Sequence, residues 1–444
     1  MQKRIGLMVA FTLFLLTVQA QQKLNYPEVD KVSYELFLQG KWAELIEYSK
    51  GARQQGIDFF YLQARTGIAY YNLKKYRTAS EWFLKAWESD QSFEWLQEYL
   101  YYSLIWGGRA SEAYKLAGSF SPGIQDKIDF SEKKITRVGL EAGYTFNPDF
   151  ETLSAASHGQ QASLGEDYGE AFYLKNYHFE SVDLSHRITP GISVNHNLTY
   201  VGLNREQRID WGSGNSFPMK TNQFQYYLNP HFVLGKKLNV SPSITAIWGN
   251  YDLFLGGFTG NQMKMFYNSS ANFSDFVFST SAWSHFGSLS PGAEINLANI
   301  TDKKFTQLSA WLTIYPFSNL SFYFTPRAYF KSSEESGFGY NTFGVSGGAQ
   351  LGPVHFYGQY LNGDMENFIE AGGYVVSNFS GVSEQKFSGS FYFLTGKKYQ
   401  LVLRYLSQDV TETYKVYTNL VESNSLSYNY MKHTLTAGIS WNFQ

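Results

Sequence analysis

The spacing of hydrophobic residues along the chain changes once, near residue 135. Residues 26–120 have apolar positions at helical spacing, and three segments align at a fixed offset of 34 residues. After residue 135, apolar and polar residues alternate, most clearly from Leu435 to Phe443 at the end of the chain. The pattern predicts an all-α repeat region followed by an antiparallel β region.

The period of the helical segments is that of tetratricopeptide repeats. Small residues would let paired helices approach closely, and aromatic residues would fill the gaps between them. In the middle segment the residues of this packing pattern are Gly67, Tyr70, Tyr76, Ala79, Phe83 and Ala86. We therefore predict a tetratricopeptide-like domain over residues 21–122, followed by a polar linker over residues 123–134.

The alternating segments predict a transmembrane β-barrel over residues 135–444. Each has about ten residues, enough for a tilted strand to cross a bilayer, and short connections alternate with mostly longer polar ones, as in outer-membrane barrels. The 18% aromatic content also favours such a barrel, whose interfaces carry aromatic girdles. The number of strands must be even. It is fourteen if Gly372–Val376 lies in an outer loop, and sixteen if that stretch crosses the membrane.

Residues 1–20 resemble a secretory signal peptide. Lys3 and Arg4 precede an apolar run from Ile5 to Leu16, and Ala20 offers a small residue at the cleavage point. The chain has no cysteine, which excludes a lipoprotein anchor, disulfides and thiolate metal sites. Net charge is −2, so we expect no nucleic-acid partner. These features predict an outer-membrane protein with its N-terminal domain in the periplasm.

Charged side chains are costly on the lipid face of a barrel, so the polar half of each alternating segment should face the lumen. The lumen-facing candidates are Arg137, Glu141, Tyr227, Glu294, Trp311, Tyr323, Arg327, Tyr329, Tyr392, Arg404 and Lys432. Two interpretations remain open. The set could form a polar, aromatic tract along which sugars slide, or a network of ion pairs that fills a narrow barrel.

The sequence offers little sign of catalysis. Gly344-Val345-Ser346-Gly347-Gly348 matches the G-x-S-x-G pattern of serine hydrolases, but it lies in an alternating strand instead of the strand–turn–helix elbow that this chemistry needs. The eight histidines are scattered, without a metal-binding spacing on one helix. We expect no enzyme activity, no metal and no cofactor; a hydrolase at the barrel rim stays as an alternative.

The combination of signal peptide, helical repeats and C-terminal barrel resembles the YaiO-like outer-membrane proteins of Bacteroidota type. The ending from His433 to Phe443 is similar to the signal read by the barrel-insertion machinery, with Trp441 and Phe443 as its aromatic residues. The resemblance implies a passage or docking platform for an exported glycan. Expected partners are outer-membrane lipid, the insertion machinery, and a periplasmic protein or glycan in the groove of the repeats. A non-conducting structural or interaction protein remains the main alternative.

Overall fold

The computed structural model describes residues 24–130, 134–156, 168–211, 214–258, 264–333, 337–379, 381–395, 398–418 and 421–443. The predicted signal peptide and Gln444 lie outside these residues. The chain forms two compact units, one ending at Ser103 and the other beginning at Leu104. The helical domain was predicted to end at residue 122, whereas the compact helical unit ends at Ser103. The last helices therefore belong to the same compact unit as the barrel.

The helices recur in pairs along the chain. Their bounds are α1 Tyr26–Leu38, α2 Trp42–Gln54, α3 Phe60–Asn72, α4 Tyr76–Ser89, α5 Glu94–Trp106, α6 Ala110–Ala117 and α7 Pro122–Lys127. Helices α1, α3 and α5 begin 34 residues apart, as do α2, α4 and α6. None of these described helices is long and apolar enough to cross a membrane.

Side-chain size sets the packing of α3 against α4. Gly67 is buried, and a Cβ atom added to it would lie 2.6 Å from the ring of Phe83. Ala79, Phe83 and Ala86 are fully buried on the facing side of α4, whereas Tyr70 and Tyr76 are partly exposed. Helix α3 approaches α4 because Gly67 has no side chain, and the Phe83 ring occupies the space that this leaves.

The second unit contains a closed antiparallel β-barrel of fourteen strands. Their bounds are β1 Ile135–Phe146, β2 Tyr168–Thr189, β3 Ile192–Asp210, β4 Gly214–Leu234, β5 Leu238–Phe258, β6 Lys264–Trp283, β7 Leu289–Ile300, β8 Lys303–Ile314, β9 Phe322–Ser333, β10 Gly337–Leu351, β11 Val354–Gly363, β14 Gln385–Thr395, β15 Tyr399–Thr418 and β16 Val421–Asn442. Two further strands, β12 Ile369–Glu370 and β13 Val375–Val376, pair only with each other. The predicted count of fourteen is therefore confirmed, and sixteen is wrong.

The barrel closes where β16 pairs with β1. Trp441 lies opposite Val138, and Ala437 lies opposite Ala142. Large apolar side chains such as Leu403 and Leu435 point outward and are more than half exposed. The inner face of the barrel shows the opposite arrangement, because its polar side chains are buried. A closed antiparallel barrel with this apolar exterior is an outer-membrane barrel.

The two ends of the barrel differ. At one end, called the basal end here, short connections join β2 to β3 and β4 to β5. At the opposite, distal end, β2 and β15 extend beyond β1 and pair directly, with Glu170 opposite Lys415. An apolar cluster that includes Ala171, Tyr173 and Tyr414 packs there. The distal extension therefore has a core of its own.

Candidate functional site in the barrel lumen

The lumen contains part of the chain itself. The segment between Gly363 and Gln385, called the lumenal loop here, leaves the barrel wall after β11 and folds inward. Thr245 of β5 donates a 2.6 Å hydrogen bond to the carbonyl of Gly373. Gln307 of β8 both donates to the carbonyl of Ile369, at 2.6 Å, and accepts from its amide, at 3.2 Å. Wall side chains thus pair the polar backbone that the inward fold would otherwise bury unsatisfied.

Glycine is required at the tip of the loop, where β12 turns into β13. Gly372 and Gly373 have φ values of 65° and 82°, in the left-handed region that residues with a Cβ atom rarely adopt. A Cβ on Gly373 would also come within 3.0 Å of the hydroxyls of Ser279 and Thr245. The Gly372-Gly373 pair therefore permits both the tight turn and the close approach of the loop to the wall.

Charged and aromatic contacts fix the two stems of the loop. Lys386 of β14 forms an ion pair with Glu370, and Lys331 of β9 lies 3.7 Å from the Asp364 carboxylate. The carbonyl of Tyr374, on the other stem, accepts a 2.9 Å hydrogen bond from the Gln225 side chain of β4. Buried apolar side chains hold the loop as well: the Phe368 ring lies 4.8 Å from that of Tyr329 between centroids, and the fully buried Ile369 packs in an apolar cluster with wall residues.

Two cavities remain beside the loop. The first, the lateral chamber, has a volume of about 460 Å³ and lies between the loop and strands β2, β9, β10, β11, β14, β15 and β16. The second, the basal chamber, has a volume of about 510 Å³ and lies between the loop tip and helix α6. Arg327 and Ala371 line both chambers and mark the junction between them. The lumen is thus obstructed by one loop but not filled.

Aromatic side chains form a row along the inner wall between the chambers. The ring centroids are 5.5 Å apart for Tyr315 and Tyr323, 6.0 Å for Tyr323 and His355, and 6.0 Å for His355 and Tyr392. Tyr315 lines the basal chamber, and Tyr392 lines the lateral chamber. Tyr323 and His355 line neither chamber, so the row, called the aromatic ladder here, reaches one chamber with Tyr315 and the other with Tyr392.

Helix α6 covers the basal end through a buried polar cluster. The Glu112 carboxylate lies 3.1 Å from His285 Nε2, in the turn between β6 and β7, and accepts a 3.0 Å hydrogen bond from Asn239 of β5. Arg109, immediately before this helix, lies 3.6 Å from Glu112 and donates to the carbonyl of Lys236. All four side chains are almost inaccessible to solvent.

The electrostatics of this cluster favour the ionised carboxylate. Burial alone would raise the pKa of Glu112, but hydrogen bonding and charge from His285, together with Arg109 and Asn239, outweigh burial and lower the pKa to about 2. Lys115, one turn further along α6, donates to the carbonyls of Val233 and Gly235 at 2.7 and 2.9 Å. Helix α6 therefore docks on the barrel through charged groups.

The predicted lumen-facing residues take several positions. Tyr227, Glu294 and Trp311 line the basal chamber, Tyr329, Arg404 and Lys432 line the lateral chamber, and Arg327 lines both. Tyr323 and Tyr392 belong to the aromatic ladder. Glu141 is the ion-pair partner of Arg404, at 3.4 Å, and Arg137 lines neither chamber.

The contacts of the lumenal loop and the α6 cluster were not predicted from the sequence. Gln307 and Glu112 are single polar residues in segments with an ordinary pattern, and no spacing links Glu112 to His285. The feature of the sequence that could have indicated the lumenal loop is the length of the segment after β11, together with its adjacent glycines. Ser346 lies inside β10, opposite Gln359 and Thr325, and forms no hydrogen bond with a described histidine. Among the described residues no cluster of three metal-ligating side chains occurs.

No protein-family profile and no curated protein sequence matches this chain. Similar solved structures include a FadL homologue of Pseudomonas aeruginosa, with 8% identity, TM-score 0.43 and coverage of 71% of this chain and 91% of that chain. The toluene transporter TodX of Pseudomonas putida has 8% identity, TM-score 0.41 and coverage of 71% and 90%. The translocator domain of the autotransporter NalP from Neisseria meningitidis has 10% identity, TM-score 0.31 and coverage of 77% and 99%.

Proposed function

We propose that this protein is an outer-membrane passage for a polar, ring-bearing solute such as a glycan, and that the lumenal loop closes it at rest. The aromatic ladder is the observation on which this proposal depends. A sugar ring has apolar faces that stack on aromatic side chains and a polar edge that forms hydrogen bonds. The ladder ends at Tyr315 in the basal chamber and at Tyr392 in the lateral chamber, with Tyr323 and His355 in ring contact between them.

The way the lumen is occupied supports a passage over a purely structural barrel. A barrel stabilised only by its interior would be expected to fill that interior with closely packed side chains. Here two chambers of about 460 and 510 Å³ remain. Within the lumen the obstruction is the lumenal loop, which polar contacts and the buried apolar side chains Phe368 and Ile369 attach to the wall. Exchange of the polar contacts for water costs little net free energy, whereas exposure of the buried Phe368 and Ile369 would oppose departure of the loop.

The helical unit fits a recruiting role in this proposal. Its 34-residue helix periodicity supports membership of the tetratricopeptide class, whose stacks offer a concave surface to partners. With the barrel oriented so that its short connections face the periplasm, this unit would meet a periplasmic protein or the glycan itself. The resemblance to YaiO-like proteins points to export, with no catalytic step.

Single-channel recording on the purified full chain tests the passage. The wild-type barrel should be silent, whereas a variant with residues 366–382 replaced by a short Gly/Ser linker should conduct. Addition of oligosaccharide to the open variant should block its current transiently as the solute occupies the ladder. The matched control replaces Tyr323 with Leu in the same variant; it should still conduct but lose sugar-dependent block.

Silence of the loop-replaced variant, once it is shown to be folded in the membrane, would contradict the proposal. That result would favour the alternative of a non-conducting interaction protein. The burial of the Glu112 cluster beneath α6 is the observation that favours this alternative, because it closes the basal end independently of the loop.

A further inference from the structure

We infer that the lateral chamber binds a sugar ring bearing a carboxylate, so that the solute of the passage is an acidic saccharide. This inference rests on the proposed function and names the solute class. The chamber volume of about 460 Å³ lies within the range of about 300–1,000 Å³ that is usual for small-molecule sites. The chemistry of its lining identifies the ligand.

Positive charge is in excess around this chamber. Four cationic side chains line it, namely Arg327, Lys386, Arg404 and Lys432, against the single carboxylate of Glu370. Glu370 forms an ion pair with Lys386. Glu141, which does not line the chamber, lies 3.4 Å from Arg404. Two cationic positions therefore remain once these pairs are formed.

Arg327 and Lys432 are those two positions. Neither forms an ion pair with any residue in the described part of the chain. The Arg327 guanidinium lies 4.2 Å from the ring centroid of Trp311, and the Lys432 ammonium lies 5.3 Å from that of Phe379. Arg327 also donates a hydrogen bond to the Tyr329 hydroxyl, and contact with the Trp311 face leaves the other donors at the edge of its guanidinium for a ligand.

The nearby carboxylates form no ion pair with Arg327 or Lys432 in the described part of the chain, although Glu412 lies close enough to interact electrostatically with Lys432. Glu294 lines the basal chamber together with Arg327, but it accepts hydrogen bonds from Ser281 and Asn296 instead of pairing with the arginine. On the Lys432 side, Glu412 accepts hydrogen bonds from the hydroxyls of Tyr428 and Tyr430. A ligand carboxylate would supply the missing partner, and a guanidinium can hold a carboxylate through two hydrogen bonds.

A ring fits beside this charge better than a bare ion does. Tyr357 and Tyr392 are partly exposed and line the same chamber as Arg327, and Tyr392 is the last member of the aromatic ladder. A hexuronate presents a ring face to such side chains and a carboxylate to the guanidinium. The chamber thus combines the two contacts that distinguish an acidic sugar from a neutral sugar and from an inorganic anion.

Calorimetric titration of the detergent-solubilised full chain tests the inference, with three probes: a diuronate, its neutral disaccharide counterpart and glucose 6-phosphate. We expect the diuronate to bind at least ten-fold more tightly than either of the others. Arg327→Gln should weaken diuronate binding about ten-fold or more, because it removes a charge-assisted contact. Arg327→Lys should keep part of the affinity. The matched control is Lys398→Gln, which removes a positive charge from an exposed turn and should bind like the wild type.

Three results would overturn the inference: equal affinity for the neutral disaccharide, stronger binding of the sugar phosphate, or unchanged binding by Arg327→Gln. Should Arg327→Gln fail to fold, Lys432→Gln provides the same comparison at the other cationic position. Failure here is separable from failure of the passage. A loop-replaced variant that conducts, with no diuronate binding by the full chain, would leave the passage intact and remove the acidic solute. Diuronate binding by the full chain, with no conduction by the loop-replaced variant, would keep the acidic-saccharide site and remove the passage.

Discussion

The helical unit and the barrel use the same residue types in opposite places. In the helical unit Leu62 and Phe83 are fully buried, and ion pairs such as Lys50–Glu47 lie at the surface. In the barrel Leu403 is 52% exposed, whereas Gln307 is 0% exposed. Hydrophobic burial in protein explains the first arrangement, and transfer of the outer face into lipid explains the second. An exposed apolar side chain therefore contacts lipid in the barrel but water in the helical unit.

Helix α6 combines a feature of the helical unit with a feature of the barrel. Its sequence continues the 34-residue periodicity of the helical repeats, yet it belongs to the same compact unit as the barrel. Its contacts with the basal end resemble those inside the lumen, because Glu112, Asn239 and His285 form a buried polar cluster. Secondary structure and packing environment are thus decided separately in this chain.

A charge on the outer face gives the strongest test of this comparison. Leu403→Arg should destabilise the barrel by about 2–4 kcal/mol, the cost of a cation in the hydrocarbon region. Leu38→Arg is the matched control, because Leu38 is 64% exposed at the end of α1 and its replacement should change stability by no more than about 0.5 kcal/mol. Denaturant unfolding in vesicles, followed by fluorescence for the barrel and by circular dichroism for the helices, measures both. Equal effects would mean that the outer face is not in lipid.

Packing of the helical unit can be disturbed at a single methyl group. Gly67→Ala should destabilise this unit by about 1–3 kcal/mol, because the new Cβ overlaps the Phe83 ring. Gly51→Ala in α2 has open space around the added atom and should stabilise the unit by up to about 1 kcal/mol. The helical circular dichroism signal of the full chain on heating reports both variants. If the two substitutions shifted the transition equally, close packing of α3 on α4 would be wrong.

The α6 cluster should respond to acid. Since the pKa of Glu112 is about 2 in the folded protein and 4.5 ordinarily, its contribution to docking is complete above pH 4.5 and is lost as pH falls through about 2. Glu112→Gln should remove this acid dependence and weaken docking by about 1 kcal/mol at neutral pH, because neutral hydrogen bonds are weaker than charge-assisted ones. Hydrogen exchange of residues 108–118, corrected for intrinsic rates, measures it. The prediction fails if the variant keeps the wild-type acid profile.

Much of the barrel could be predicted because alternation is a local property. The polar positions from Arg137 to Lys432 follow from period two, and the count of fourteen follows from the parity of the strands and from placing Gly372–Val376 in a loop. Contacts across the lumen could not be predicted in this way. Thr245 meets Gly373, and Gln307 meets Ile369, only because barrel closure brings distant strands to the same loop.

The sequence by itself determined where the chain is helical, where it alternates, and which alternating positions are apolar. Those choices depend on side chains a few residues apart, and the solvent on each face selects between them. Only the tertiary structure decided that a loop enters the lumen, that two chambers stay open beside it, and that Glu112 of α6 meets His285. The physical reason is that these contacts join residues far apart in sequence, and their energies exist only after the barrel has closed.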